Sequence, residues 1–284
     1  MKGRNLFRLI LVVICVQVFS PLKLSQVSED SLRRLHVSSY HQNLYSYYDA
    51  VWNVTSGLEN FSEASLTSAS RYFSGDPVEA ITDFKGVTLV AVFPADIAIE
   101  VGDLQEDIWN ALVDRVPGLT KKLYFVPFDA LHITIQSIES AHPGELSEDA
   151  SSHQTLNTVV QLVEGVDPFF ITLERIGLTP GGGIIVEGYV DTPSISELRS
   201  DIGLNLPFIK KPAHEGDFFH VTIGRFLPSV TEDDFREAFN VISNMRDTDI
   251  GGFLVREMLY AYIKTRGLEF RDQGRDCFIQ LRRD

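Results

Sequence analysis

The chain has 284 residues, 44% hydrophobic and 23% charged, with 20 Gly, 12 Pro and 2 Cys, which is the usage of an ordinary globular protein and excludes disordered, collagenous and multi-pass membrane chains. Its 39 Asp and Glu against 25 Lys and Arg leave a formal charge of -14, so long-range electrostatics oppose binding to long nucleic acids and anionic membranes, and a phosphate partner must be captured by a local site. A chain this long buries roughly 70–75% of its unfolded surface and needs no disulfide framework or structural metal.

At the N-terminus Lys2, Arg4 and Arg8 precede an apolar run over residues 9–19, broken only by Gln17. These are the charged and hydrophobic regions of a secretory signal, in a run shorter than the ~20 residues that span a bilayer. Residues 1–25 are expected to be a signal peptide, cut after Ser20 or nearer Ser25, or kept as a single-pass signal anchor. The expected compartment is the exterior or the secretory lumen, where the sequons Asn53-Val54-Thr55 and Asn60-Phe61-Ser62 become glycan acceptors. Cys15 lies inside the signal, and Cys277, in an apolar segment, is expected to be a buried free thiol.

Residues 26–85 are expected to form a helical, glycosylated extension. Ser28-Glu29-Asp30 offers a helix cap, and Leu32, Leu35, Leu44, Tyr48 and Val51 recur at helical spacing. Its tyrosines, Tyr40, Tyr45, Tyr47 and Tyr48, are expected to pack against the main domain rather than to cover a cleft.

Residues 86–284 are expected to form one domain. Apolar periodicity predicts a strand at 86–94, a helix at 103–116, a strand at 131–138, a helix at 148–164 and a strand at 169–176. The same order then recurs, with a strand at 184–190, a helix at 194–204, a strand at 218–226, a helix at 232–243 and a strand at 253–264. The expected fold class is α/β (α+β): a bilobal, duplicated β-α-β-α-β domain with pseudo-twofold symmetry and a central cleft, plus the N-terminal helical extension.

One motif occupies the central strand of both copies, as Leu131-His132-Ile133-Thr134-Ile135 and Phe219-His220-Val221-Thr222-Ile223, with the two histidines 88 residues apart. Strand alternation sends Leu131, Ile133 and Ile135 to one face and His132, Thr134 and Gln136 to the other. In the second copy Phe219, Val221 and Ile223 oppose His220, Thr222 and Gly224. The apolar face packs under helices, so each His-x-Thr pair is left on the opposite face, and two such lobes bring four polar side chains to the cleft. A lone His on a strand is usually a hydrogen-bonded structural residue, and His36-Val37-Ser38 and His153-Gln154-Thr155 show how readily the three-residue pattern arises inside helical segments. A matched pair at equivalent points of an internal repeat is not explained that way.

The LHITI and FHVTI strands resemble the repeated motif of the two-histidine (2H) phosphoesterase superfamily, which includes bacterial RNA 2',5'-ligase-like enzymes and cyclic nucleotide phosphodiesterases. The resemblance covers residues 86–284, including a first strand ending at Pro94. It implies that His132 and His220 are catalytic and that Thr134 and Thr222 bind the substrate phosphate, with the motif intact in both copies.

The residue types suit that chemistry. Opening a cyclic phosphodiester needs a base to deprotonate water and an acid to protonate the leaving oxygen, and two imidazoles with ordinary pKa near ~6.5 can share the tasks. Threonine hydroxyls can donate to the non-bridging oxygens where charge builds. Zinc is the competing reading, but it prefers three or more protein ligands, and neither motif has a Cys or carboxylate at ligand spacing, so neither metal nor cofactor is expected. Lys121-Lys122 and Lys210-Lys211 precede the two motifs at matching distances and offer either cleft potential or solvated charge. Arg225 shares the face of Val221 unless a bulge at Gly224 re-aims it. Gly181-Gly182-Gly183 precedes a strand rather than a helix and reads as a turn. Tyr124, Phe125, Phe218, Tyr189 and Tyr262 are candidates for stacking on a base, though core positions explain most of them equally well.

The expected function is a metal-independent phosphodiesterase hydrolysing 2',3'-cyclic phosphates of nucleotides or short oligonucleotides. Its expected partner is a nucleotide or short RNA, with no long nucleic-acid track and no stable membrane partner unless the signal stays uncleaved. The alternatives are a non-catalytic secreted nucleotide-binding module and an RNA 3'-end exonuclease of the same superfamily.

Overall fold

The computed structural model describes residues 46, 48–53, 72–74, 79–116, 118–179, 181–190, 192–209, 219–265, 268–269 and 271–282. The expected signal, Asn60, Tyr40, Tyr45, Tyr47, Lys210, Lys211 and Phe218 lie outside them. One compact unit runs from Asn43 to Asp284, taking in the part of the expected extension that follows residue 42. Among the described residues no helix is long and apolar enough to cross a membrane.

Two short strands, β1 (Phe73–Ser74) and β2 (Glu79–Ala80), form an antiparallel hairpin ahead of the main sheet. The chain continues through β3 (Lys85–Val92), α1 (Ala95–Arg115), β4 (Leu123–Phe125), β5 (His132–His142), α2 (Glu148–Ser151) and α3 (His153–Glu164). The second half holds β6 (Phe169–Leu178), β7 (Gly183–Val190), α4 (Ser194–Asn205), β8 (Phe219–Phe226), α5 (Glu232–Ser243), β9 (Asp249–Val255), β10 (Glu257–Ile263) and β11 (Cys277–Gln280). β3 to β11 form one antiparallel sheet in the order β11-β10-β3-β5-β8-β7-β6-β9, with β4 paired to β8. β9 and β10 lie near opposite ends of that order, yet only Arg256 separates them in the chain, so the sheet curls until its ends adjoin.

Local chemistry explains where elements start and stop. Helix α5 begins where expected because Thr231 and Asp234 form a reciprocal capping box. The expected helix at 148–164 is interrupted at Ser152, whose extended backbone lets its hydroxyl cap Thr155, while Ser147 caps Ala150. Helix α1 starts eight residues before the expected Asp103 and runs straight through Gly102. The glycine serves a close approach, since a Cβ there would stand 3.3 Å from the Phe128 ring. The expected strand at 253–264 is two strands pairing with different neighbours, β9 with β6 and β10 with β3 and β11. Cys277 is half-buried rather than buried, because it sits on the edge strand β11, where Phe278 and Gln280 face out and only Ile279 is covered.

The two sequence halves exchange their helices. α1, which follows β3, packs with α5 against β8 and β9, whereas α3 and α4, one from each half, pack together against β11 and β5. The two lobes meet where β5 touches β8, and among the described residues they share one Cα pair there, Ile133 with Val221. Ile133, Ile135, Phe219, Val221 and Ile223 are all buried to 1% exposure or less beneath the helices, which supplies the burial that fixes the register.

Candidate active site

The antiparallel pairing of Ile133 with Val221 decides the site. Extending that register by one residue each way sets His132 opposite Thr222 and Thr134 opposite His220, on the face away from the buried isoleucine and valine. All four side chains line one cavity of about 300 Å³. His132, His220 and Thr222 are half-buried and Thr134 is exposed. The structure thus brings together the four residues that the sequence singles out.

Arg225 lines the same cavity. Strand β8 carries an extra residue against β7, Ile184 pairing with Gly224 and Ile185 with Thr222, and this bulge turns Arg225 onto the face of Thr222. Gly224 permits the packing there, because a Cβ would come within 3.2 Å of both the Phe125 ring and the Tyr124 carbonyl. The Arg225 guanidinium donates to the Gly181 carbonyl at 3.3 Å, so the turn between β6 and β7 steadies the cation.

His132 has a defined polarity. Its Nδ1 lies 2.8 Å from the Ala130 carbonyl, which can only accept, so Nδ1 carries the proton and Nε2 keeps its lone pair in the neutral ring. Burial lowers the pKa of His132 below the ordinary imidazole value, against the opposing pull of the Ala130 carbonyl and the Glu269 carboxylate. At neutral pH the ring is therefore uncharged.

Tyr124, a candidate for stacking on a base, lines the cavity, whereas Glu269, Tyr72 and Phe73 carry no signal in the sequence. Glu269 lines the cavity and receives hydrogen bonds from the Tyr124 hydroxyl at 2.9 Å and the Thr265 hydroxyl at 2.8 Å. Tyr72 and Phe73, from the β1–β2 hairpin, complete that side, with Phe73 packed on Tyr124 at 4.4 Å between ring centroids.

Other candidates lie elsewhere. Lys122 pairs with Asp234 at 2.7 Å at the start of α5, and Lys121 does not line the cavity. Tyr189 is buried and donates to Glu187 at 2.6 Å, Tyr262 lies under the Arg275 guanidinium at 3.9 Å, and Phe125 packs edge-on to Trp109. Gly182 adopts φ 75° in a turn closed by the Thr179 N–H donating to the Gly183 carbonyl at 2.9 Å. Asn53 is exposed. Among the described residues no group of three or more His, Cys, Asp or Glu is placed to hold a metal ion.

No family model matches the chain, and no curated protein is similar to it. Solved structures do resemble it. TT0787 of Thermus thermophilus is 13% identical, covering 69% of this chain and 94% of its own, at a TM-score of 0.41. A phosphoesterase is 16% identical, covering 70% of this chain and 97% of its own, at 0.39. E. coli LigT complexed with 3'-AMP is 16% identical, covering 70% of this chain and 95% of its own, at 0.41.

Proposed function

We propose that the protein is a metal-independent phosphodiesterase that hydrolyses 2',3'-cyclic phosphates of nucleotides or short oligonucleotides. The observation that carries the reading is the diagonal placement of two imidazoles and two threonine hydroxyls around one cavity that also receives Arg225. Neutral His132 takes a proton from water through Nε2 as the water oxygen attacks phosphorus. His220, entering protonated, gives its proton to the ribose oxygen as the P–O bond breaks, so the cyclic diester becomes a monoester and a free hydroxyl. Such paired proton transfers contribute typically 10²–10⁴-fold each. Thr134, Thr222 and Arg225 donate to the non-bridging oxygens, where negative charge grows in a partly enclosed site. The reading includes export into the secretory pathway, supported by the basic and apolar N-terminus.

The test is phosphorus NMR of 2',3'-cyclic nucleotides incubated with the protein in EDTA. The expected result is conversion of the cyclic-phosphate signal to that of a monoester. Binding without conversion would make the cleft a nucleotide-binding module, activity restored only by zinc would make it a metalloenzyme, and cyclic ends released from linear RNA would make it an exonuclease.

A further inference from the structure

At Phe219, the residue immediately before His220, a side chain links strand β8 to each of its neighbouring strands. Toward β7, Phe219 pairs with Gly188, and the Tyr48 hydroxyl stands between them. It accepts from the N–H groups of Gly188 and Phe219, each at 3.2 Å, and its proton serves the carbonyls of the same two residues. Tyr48 is 1% exposed, and burial raises its pKa far above the usual phenol value, so the hydroxyl remains a neutral donor.

Toward β5 the register sets Phe219 opposite Ile135, beyond the Ile133–Val221 pair. Arg199 of α4 reaches both strands there. Its Nε donates to the Ile135 carbonyl at 2.6 Å, an Nη reaches the Thr134 carbonyl at 3.4 Å, and its guanidinium lies 4.5 Å over the Phe219 ring. One guanidinium therefore touches the backbone of the first motif and the ring that precedes the histidine of the second. A planar fork can do this, while a lysine ammonium offers one charged point without the face that stacks on a ring.

We infer that Arg199 and Tyr48 are positioning residues for His220, setting its distance from the His132–Thr134 half-site. Arg199 ties β5 to β8 beyond the Ile133–Val221 pair, and Tyr48 ties together the Phe219–Gly188 pair at the end of the β7–β8 ladder. Tyr48 precedes the residues that carry the 2H resemblance, so the N-terminal extension is part of the working site. The inference rests on the proposed phosphodiesterase reading for its kinetic consequence only, since the geometry at His220 is measurable without substrate.

The experiment compares wild type, Arg199→Lys and Tyr48→Phe, each checked for folding by circular dichroism, with histidine side chains followed by nitrogen NMR across pH. The conservative variants are chosen because Arg199→Ala strips support from two strands at once. The expected result is a moved titration midpoint for His220 with that of His132 held, together with a roughly 10- to 100-fold loss of kcat at nearly constant KM. If both variants fold and leave the His220 titration unchanged, the inference is overturned, whatever the substrate. If the His220 titration moves but wild type opens no cyclic phosphate, the phosphodiesterase reading fails and the positioning role stands.

Discussion

Ile133 and Val221 face each other across the contact between β5 and β8, and each is fully buried with a His and a Thr on either side of it in the chain. A pair of apolar side chains thereby locks the register of four polar ones. A slip of either strand by one residue would turn its own motif into the core, so the buried pair specifies the site it does not itself line.

Arg225 brings a cation to the cavity that holds both threonines. Arg225→Met should lower kcat/KM by on the order of 10²-fold, the scale seen when one charge-stabilising donor is removed, with little change in unfolding midpoint. Gly224→Ala should produce a similar loss by a different route, since its Cβ would press on Phe125 and the Tyr124 carbonyl and disturb the bulge. Steady-state kinetics on a cyclic mononucleotide checks both, and full activity in Arg225→Met would remove the cation from the mechanism.

The His-x-Thr pairs are legible in the sequence because alternation along a strand is a local property, and Leu131 through Ile135 and Phe219 through Ile223 display it without outside help. Arg225 is legible only as a condition, since plain alternation turns it away and the bulge that re-aims it depends on how β8 meets β7. Arg199, Glu269, Tyr72 and Phe73 carry no local signal, because each acts across the curled sheet on residues far away in the chain. The exchange of helices between the halves has the same origin. Periodicity announces a helix at α1 but not that it packs on β8 and β9.

The pH dependence follows from the lowered pKa of His132. The base must be neutral to act, so activity rises with pH through that value, and the acid limb of the kcat/KM profile should lie below the ordinary imidazole value near ~6.5. Glu269 pulls the pKa upward, so Glu269→Gln should move the acid limb to still lower pH. An acid limb that shifts upward in this variant would contradict the assignment of His132 as base.

Residues 48–53 are held by an ionic cluster built around buried Glu187. Glu187, 1% exposed, meets Arg246 at 3.0 Å and Arg175 at 3.4 Å, and Asp49 bridges the same two arginines. Trp52 lies against the Arg246 guanidinium at 4.2 Å. Burial already raises the Glu187 pKa to about 7, so part of the loss of a cation is met by protonation, and Arg246→Ala should lower the urea midpoint at unchanged slope by more above pH 7 than below it. A shift below ~1 kcal/mol, the scale of an exposed pair, would show that the cluster is solvated in solution.

Export predicts glycans. Expressed through a eukaryotic secretory pathway, the protein should carry them at Asn53 and Asn60, and Asn53→Gln and Asn60→Gln should each remove one step of the mobility shift that deglycosylation collapses. A cytosolic product without any shift would refute the secretory assignment.

The central claim is that two histidines from separate copies of one motif act as a single catalytic unit. Turnover of the best 2',3'-cyclic nucleotide should be measured for His132→Ala, His220→Ala and the double variant. Each single change should lower kcat by roughly 10²- to 10⁴-fold, and the double variant should fall little below the worse single one, because residues that work as a unit are not additive. Near wild-type turnover in either single variant would contradict the account.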